Sequence, residues 1–351
     1  MFITGLGTAV PPRSFTQADC WEALQRADRP EITPRTRAVL QGILNHDHGI
    51  ERRSLALETL DESFELDPDT LYRRFEKNAP LLASQAAPRA LDCAGIEARE
   101  VDAVIVSTCT GYLCPGLTSY VGESLGLRSD AFHLDLVGQG CGAALPNLRA
   151  GEALLASKRA GKVLSICVEV CSAAFYLDCD LGVLVSACLF GDGAGAAVLS
   201  SAPRGGAQSV EWKATGSLHN PGERDALRFE QRGGMLRNIL TLPVPKLAGS
   251  HARAVMDDVL AREALPREAI DMWILHAGGK RVLAELQAAI GLDKEAIRHS
   301  STVLREFGNL SSPFVLFVLE AALAGNPRPG WWWMSSFGAG FSCHGALLRV
   351  S

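Results

Sequence analysis

The chain repeats itself, and the repeat limits what it can fold into. Val101-Asp102-Ala103-Val104-Ile105-Val106 is a β-branched apolar run followed by a Gly-containing loop and a helical stretch ending Leu125-Gly126-Leu127. Its echo is Ile270-Asp271-Met272-Trp273-Ile274-Leu275, again followed by Gly and by a helical stretch from Arg281 that ends Ile290-Gly291-Leu292. Cys141 follows Asp102 by 39 positions and Asn309 follows Asp271 by 38. Both are preceded by Gly and followed by small residues that open an apolar helix. Taken singly, such a turn is common. Paired, it predicts two copies of one α/β unit about a pseudo-two-fold axis, with two strand-to-helix turns face to face. His276 closes the strand of the second copy, the end at which α/β sheets place ligands.

At 351 residues, with 47% hydrophobic and 21% charged side chains, the chain is globular and long enough to bury a large core. A net charge of −5 offers no basic field for nucleic acid or anionic lipid. No run approaches the roughly 18 apolar residues of a membrane span. The N-terminal Met1 to Pro12 lacks a charged leader region and predicts a first strand closed by Gly and Pro, so a cytoplasmic protein is expected. Ten cysteines in such a chain stay reduced, and with no CxxC pair they predict no zinc site. Most are expected to be small buried hydrophobes. Residues 13 to 100 read as mainly helical. Ser200-Ser201-Ala202-Pro203-Arg204-Gly205-Gly206 divides the copies, giving halves 1–203, with Cys141, and 204–351, with His276 and Asn309.

The three turns carry chemistry. A thiolate attacks an acyl carbonyl, and free Cys has a pKa of about 8.5. A helix N-terminus and a nearby imidazole are expected to lower that of Cys141. Gly142, Ala143 and Ala144 leave backbone N–H groups approachable as an oxyanion hole. Pro146 fits the first helical turn, where its missing N–H costs little. Asn309 does not titrate, but its amide and the His276 ring can each donate to a developing oxyanion. Two donors on one thioester oxygen suit formation of an enolate. Decarboxylation of a malonyl thioester makes one, and its carbon can attack an acyl group held on Cys141.

These residues resemble the type III polyketide synthases, the chalcone and stilbene synthase family of the thiolase fold. The resemblance spans essentially the whole chain and rests on Gln139-Gly140-Cys141, Leu189-Phe190-Gly191-Asp192-Gly193, His276-Ala277-Gly278-Gly279, Gly308-Asn309-Leu310-Ser311-Ser312 and Ser336-Phe337-Gly338-Ala339-Gly340. It implies two duplicated α/β halves in a five-layered αβαβα arrangement. It implies Cys141 as acyl-loading nucleophile, His276 and Asn309 as decarboxylation donors, and Phe190 as gatekeeper. It also implies acyl-CoA and malonyl-CoA as substrates, no cofactor, no metal, and a homodimer. Arg52 and Arg53 resemble a basic segment near the CoA phosphates.

The departures set expectations about substrate. Ala339 stands where plant enzymes have Pro in the loop containing Phe337 and Gly338, and frees the backbone there. Cys109, Thr110, Cys171, Ala174 and Ser311 resemble pocket-lining positions and are mostly small. Cys114 replaces a Met that reaches across the dimer, and no second gatekeeper aromatic is evident in Gly233 to Asn238. Small linings predict a bulky starter: a medium- or long-chain fatty acyl-CoA extended to alkylpyrones or alkylresorcinols. The alternative is an initiating β-ketoacyl carrier-protein synthase, which has a His-Gln-Ala-Asn stretch where this chain has His276-Ala277-Gly278-Gly279. A thiolase would need a second catalytic Cys; Cys343, beside His344, falls in the final strand region and is read as structural.

Overall fold

The structure is a computed structural model, and it describes the chain apart from residues 28–31, 46–48, 175–180, 206–207 and 326–327. Cys179 and Gly206 lie outside the described residues. In the first half, β-branched and small-residue runs form strands and Ala- and Leu-rich stretches form helices. They are β1 (Phe2–Ala9), β2 (Ser14–Thr16), α1 (Gln17–Arg26), α2 (Pro34–Asn45), β3 (Arg52–Ser54), α3 (Pro68–Ala94), β4 (Ala103–Thr108), α4 (Leu117–Leu125), β5 (Phe132–Val137), α5 (Ala144–Ala156), β6 (Lys162–Glu169), α6 (Leu181–Leu189) and β7 (Gly193–Ser200). The second half continues with β8 (Val210–His219), β9 (Leu227–Arg232), β10 (Met235–Leu240), α7 (Val244–Arg262), β11 (Ile270–Leu275), α8 (Lys280–Ile290), α9 (Arg298–Phe307), α10 (Phe314–Ala324), β12 (Gly330–Gly338) and β13 (Ser342–Val350).

Among the described residues nine strands join in the order β11-β12-β13-β8-β1-β7-β6-β4-β5. β1 is antiparallel to β7, β7 to β6, and β6 is parallel to β4; β8 is antiparallel to β13, β13 to β12, and β12 is parallel to β11. The halves therefore share one topology. They meet where Phe2 and Ile3 pair with Glu211 and Val210. Asp102 and Asp271 do the same work in each half. Asp102 Oδ2 accepts from Lys162 N at 3.0 Å and Asp271 Oδ2 from Trp331 N at 2.9 Å, each at the start of the neighbouring parallel strand. The helices α4 and α8 both stop at a left-handed glycine, Gly126 (φ 64°) and Gly291 (φ 78°).

α5 and α10 lie between the half-sheets: α5 packs on β6 and β4 and also on β12 and β13, and α10 on β1 and β7 and also on β11 and β12. Phe314 to Leu319 are all buried, as a helix apolar on every side must be. α3 and α4 cover the outer face of the first half-sheet, and α7 packs over β13 and β8 with α8 beside it. This is the expected five-layered αβαβα order.

Two regions differ from the sequence reading. Within residues 13 to 100, β2 and β3 form a short antiparallel ladder, Ser14 opposite Ser54, that ties α1 and α2 to the body. Residues 227–240 form the hairpin β9–β10, turned by Gly233 and Gly234 with φ 58° and 80°, the positive pair a two-residue hairpin turn needs.

Candidate active site

Cys141 occupies a single 3-10 turn, Gly140–Gly142, ahead of α5, and is buried. Gly140 has φ 56°, and a Cβ there would lie 2.9 Å from Ala339 N, so only glycine makes this turn against the loop after Phe337. A Cβ on Gly338 would lie 2.3 Å from Gln139 O and 2.5 Å from Gly142 N. Backbone thus rests on backbone across the two halves, and Ser336 Oγ donates to Gly142 O at 3.1 Å. The Cys141 Sγ accepts from Ser311 Oγ at 3.2 Å. Pro146 falls in the first turn of α5, as expected.

His276 follows the last residue of β11, its N–H donating to Ser335 O at 2.9 Å. Its ring is wedged edge-on against Phe314 (centroids 5.2 Å) and Phe337 (4.9 Å), and neither ring nitrogen has a hydrogen-bond partner. Asn309 follows Gly308 (φ 71°). Its Oδ1 accepts from Ser311 N at 2.9 Å and its Nδ2 donates to Gly278 O at 3.3 Å, which leaves one amide hydrogen free. Its backbone bridges to Phe190, with Gly191 N donating to Asn309 O at 3.0 Å. Ser311 sits at φ 59°, a strained conformation for a residue with a side chain, of the kind that collects at functional sites.

The charge states differ from the expectation. Burial pushes the Cys141 thiol up to about 12, against the lowering effect of the Ser311 hydroxyl. Burial alone takes the His276 imidazole down to about 3. Desolvation wins over dipole and hydrogen bond, so the resting site holds a neutral thiol and a neutral imidazole. A neutral ring carries one N–H, which is what a donor to an enolate oxygen requires.

Glu169, at the end of β6, went unweighed in the sequence and is the best-bonded side chain of the site. It is fully buried, and its oxygens accept from Ser312 Oγ (2.6 Å), Thr110 Oγ1 (2.9 Å), Cys109 N (3.0 Å) and Cys109 Sγ (3.2 Å). Burial raises its pKa, opposed by those donors. Cys109 Sγ lies 3.5 Å from Ser311 Oγ, so a chain of contacts runs from Glu169 to Cys141. A lone carboxylate closing an apolar strand was the available signal.

The other expected residues divide. Phe190, Cys171 and Cys141 share one buried cluster, and Ala174 is buried beside Cys171. Cys109 and Thr110 line a cavity of about 560 Å³ together with Gly140 and Ala339, but its wall also holds Phe75, Phe229 and Leu236, so it is not built from small residues alone. Arg53 is turned inward: its guanidinium donates to Ala187 O (2.6 Å) and Phe190 O (2.8 Å), and its burial takes it away from any surface phosphate. It positions the Phe190 segment instead. Arg52 is exposed. Cys343 and His344 are buried in β13. Among the described residues no group of three or more His, Cys, Asp or Glu could hold a metal ion, and no helix is long and apolar enough to cross a membrane. Ser311 joins the Cys141 thiol to the Asn309 turn, Asn309 is tied to Gly278 two residues after His276, and the cavity opens beside Gly140 and Cys109.

Residues 1–203 match the model for the N-terminal domain of chalcone and stilbene synthases, and residues 236–350 that for the C-terminal domain. The chain is 31% identical to a 3,5-dihydroxyphenylacetyl-CoA synthase of Streptomyces toyocaensis over 99% of its own length and 89% of the relative's. It is similar to the crystal structure of PKS-I from the brown alga Ectocarpus siliculosus, with a TM-score of 0.92, 25% identity, and 99% and 97% of the two chains covered. It is also similar to 1,3,6,8-tetrahydroxynaphthalene synthase from Streptomyces coelicolor A3(2), a bacterial type III polyketide synthase, with a TM-score of 0.88, 25% identity, and 99% of each chain covered.

Proposed function

The chain belongs to the chalcone and stilbene synthase family of type III polyketide synthases, decarboxylating condensing acyltransferases, and from that premise we propose a medium- or long-chain fatty acyl-CoA starter and an alkylpyrone or alkylresorcinol product. The observation that carries the starter class is the cavity of about 560 Å³ beside Gly140 and Cys109, with Leu71, Phe75, Phe229 and Leu236 in its wall. It falls within the range of roughly 300–1,000 Å³ for small-molecule sites, and its apolar side suits an alkyl chain.

In this reading Cys141 Sγ attacks the starter thioester. The bond from Cys141 sulfur to the acyl carbon forms, the bond from CoA sulfur breaks, and the Cys141 proton leaves on the CoA thiol. Malonyl-CoA then loses carbon dioxide, and the electron pair of the broken C–C bond passes into a thioester enolate. The enolate oxygen takes hydrogen bonds from the neutral His276 ring and from the free hydrogen of Asn309 Nδ2. The enolate carbon attacks the acyl carbon on Cys141, which releases the Cys141 sulfur and leaves a longer chain on CoA. Phe190 borders this space, Phe337 holds the His276 ring, and Arg52 is left to meet the CoA phosphates. The working unit is a homodimer joined at β5. That strand is a sheet edge with Phe132 and Val137 exposed, and Tyr112 lies exposed at the cavity rim; such an edge is a template for a second chain.

A second reading has malonyl units alone building a hydroxylated ring. It is favoured by the polar part of the same wall, Thr108, Thr110 and Gln231, and by relatives named for dihydroxyphenylacetyl-CoA and tetrahydroxynaphthalene. Incubation with malonyl-CoA and a starter series from acetyl to stearoyl, aromatic acyl groups included, separates the two by mass spectrometry. Pyrones or resorcinols carrying the fatty chain, absent with Cys141→Ala, are expected; efficient turnover with malonyl-CoA alone would move the assignment to the second reading.

A further inference from the structure

α6 ends against the site, and each of its last four carbonyls has a donor. Ser186 O accepts from Phe190 N at 3.1 Å, Ala187 O from Arg53 Nη1 at 2.6 Å, Cys188 O from Gln17 Nε2 at 2.9 Å and Leu189 O from Asn309 N at 2.8 Å. The second hydrogen of Arg53 Nη1 goes to Phe190 O at 2.8 Å. A helix leaves its last four carbonyls without partners of its own, and here two of the caps are side chains brought from α1 and β3.

Arg53 is the unusual member of this set. It is 2% exposed, and the rest of its head donates to Gln17 Oε1 and to Cys20 Sγ, each at 3.2 Å, so none of these bonds is to a carboxylate. A buried cation needs compensation, and the negative end of α6 supplies it. The Gln17 amide stands one way round only, because the guanidinium needs an acceptor and Cys188 O a donor. The stem of Arg53 makes a second contact. A Cβ on Gly308 would lie 2.8 Å from Arg53 Cγ, 3.0 Å from its Cδ and 2.7 Å from Leu189 O, and Gly308 has φ 71°, so only glycine passes here. The next residue is Asn309, whose N donates to Leu189 O and whose O accepts from Gly191 N. Arg53 therefore meets the end of α6 with its head and the Asn309 turn with its stem. The Cys141 turn is held by other contacts, with Gly338 and Ser336.

We propose that Arg53 is a positioning residue for condensation: by capping α6 and backing Gly308 it fixes where the Asn309 amide stands, and so governs enolate formation without governing the loading of Cys141. The proposal rests on the reading of Asn309 as an enolate donor. Arg53 acts through Asn309 and not on substrate. A planar, permanently charged fork suits the task, since one head reaches two carbonyls, an amide and a thiol at once.

The test is a split between steps. Arg53→Met keeps a stem against Gly308 and removes the head. Loading of Cys141, read by intact-protein mass spectrometry, and the KM for malonyl-CoA are expected to stay within about twofold of wild type, while kcat for condensation falls about tenfold or more, the scale for a small displacement of a reacting group. Arg53→Lys keeps the charge without the fork, and its kcat is expected to fall between those of Arg53→Met and wild type. A rise in KM for acyl-CoA with kcat unchanged overturns the proposal and returns Arg53 to the CoA phosphates. Loading and condensation that fall together also overturn it, and leave Arg53 a residue of the fold alone. If Arg53→Met does not fold, Gln17→Leu takes its place: Arg53 stays while its Nε and Cys188 O lose their partner. The same split at smaller size is then expected, and an unchanged kcat overturns the proposal. Asn309→Ala that condenses at the wild-type rate fails the donor reading itself, a separate outcome from any effect at Arg53.

Discussion

The Cys141 turn and the Asn309 turn are the same piece of architecture put to opposite uses. Each follows a left-handed glycine, Gly140 or Gly308, and each leads into a central helix. Asn309 is tied by its side-chain oxygen to Ser311 N, by its amide to Gly278 O, and by its backbone to the Phe190 segment. The Cys141 thiol accepts a hydrogen bond from the Ser311 hydroxyl, and its burial disfavours the thiolate. In the proposed reaction one half thus supplies a donor already held by its neighbours, and the other a nucleophile whose burial favours the neutral thiol. Duplication positions the two, and what each turn touches decides its chemistry.

The comparison breaks most visibly when each residue is removed. Cys141→Ala is expected to abolish product and acyl loading together. Asn309→Ala is expected to keep loading, read by intact mass, while condensation falls by about 10²- to 10³-fold, the scale for loss of one oxyanion donor. Loss of loading in Asn309→Ala would erase the distinction between the turns. Next in size is Gly338→Ala. Its Cβ would press on Gln139 O and Gly142 N, both backbone, so it displaces the Cys141 turn and spares the Asn309 turn. Loading is expected to drop by about tenfold or more while the far-ultraviolet circular dichroism is unchanged, since a small displacement of a reacting group is costly.

A smaller effect concerns pH. The Cys141 pKa is raised, so the thiol form dominates until pH rises well past the ordinary cysteine range. Iodoacetamide alkylation of Cys141 is expected to increase steadily from pH 7 to pH 10. A plateau already reached at pH 7 would mean a preformed thiolate. His276 runs the other way: its depressed pKa contributes stability that is full above its unfolded value of 6.5 and is lost as pH falls towards about 3. A His276→Gln variant is expected to lose less melting temperature than wild type between pH 7 and pH 4. The smallest effect is Arg52→Glu, for which a few-fold rise in KM for acyl-CoA is expected, the scale of one exposed charge.

The parts of the site that were legible in the sequence are those written locally. A glycine, a polar residue and small residues before an apolar run specify a turn, and two such turns at nearly the same spacing specify the duplication. The unread parts are non-local. Glu169 gathers donors from the segment around Cys109 and Thr110 and from Ser312, a residue far along the chain, and no window of sequence contains them all. Arg53 looked like a surface cation beside Arg52 because alternation along a strand turns one of two neighbours inward, and the sequence alone does not say which. The direction of the Cys141 shift was missed because burial, which decides it, is a property of the assembled layers.

The seam between the halves has a consequence in time. Of the described strands β1 is synthesised before the rest, yet its neighbours are β7 and β8, with Phe2 paired to Ser200 on one side and to Glu211 on the other. At roughly 5–20 residues per second, translation delivers those partners on the order of ten seconds or more after β1 emerges. Until then its apolar residues have only α3 to lean on, Gly5 and Gly7 lying close against the α3 backbone at Ala90 and Ala86. The strand that joins the halves is born early and married late, so the waiting nascent chain is where this protein is most exposed to misassembly.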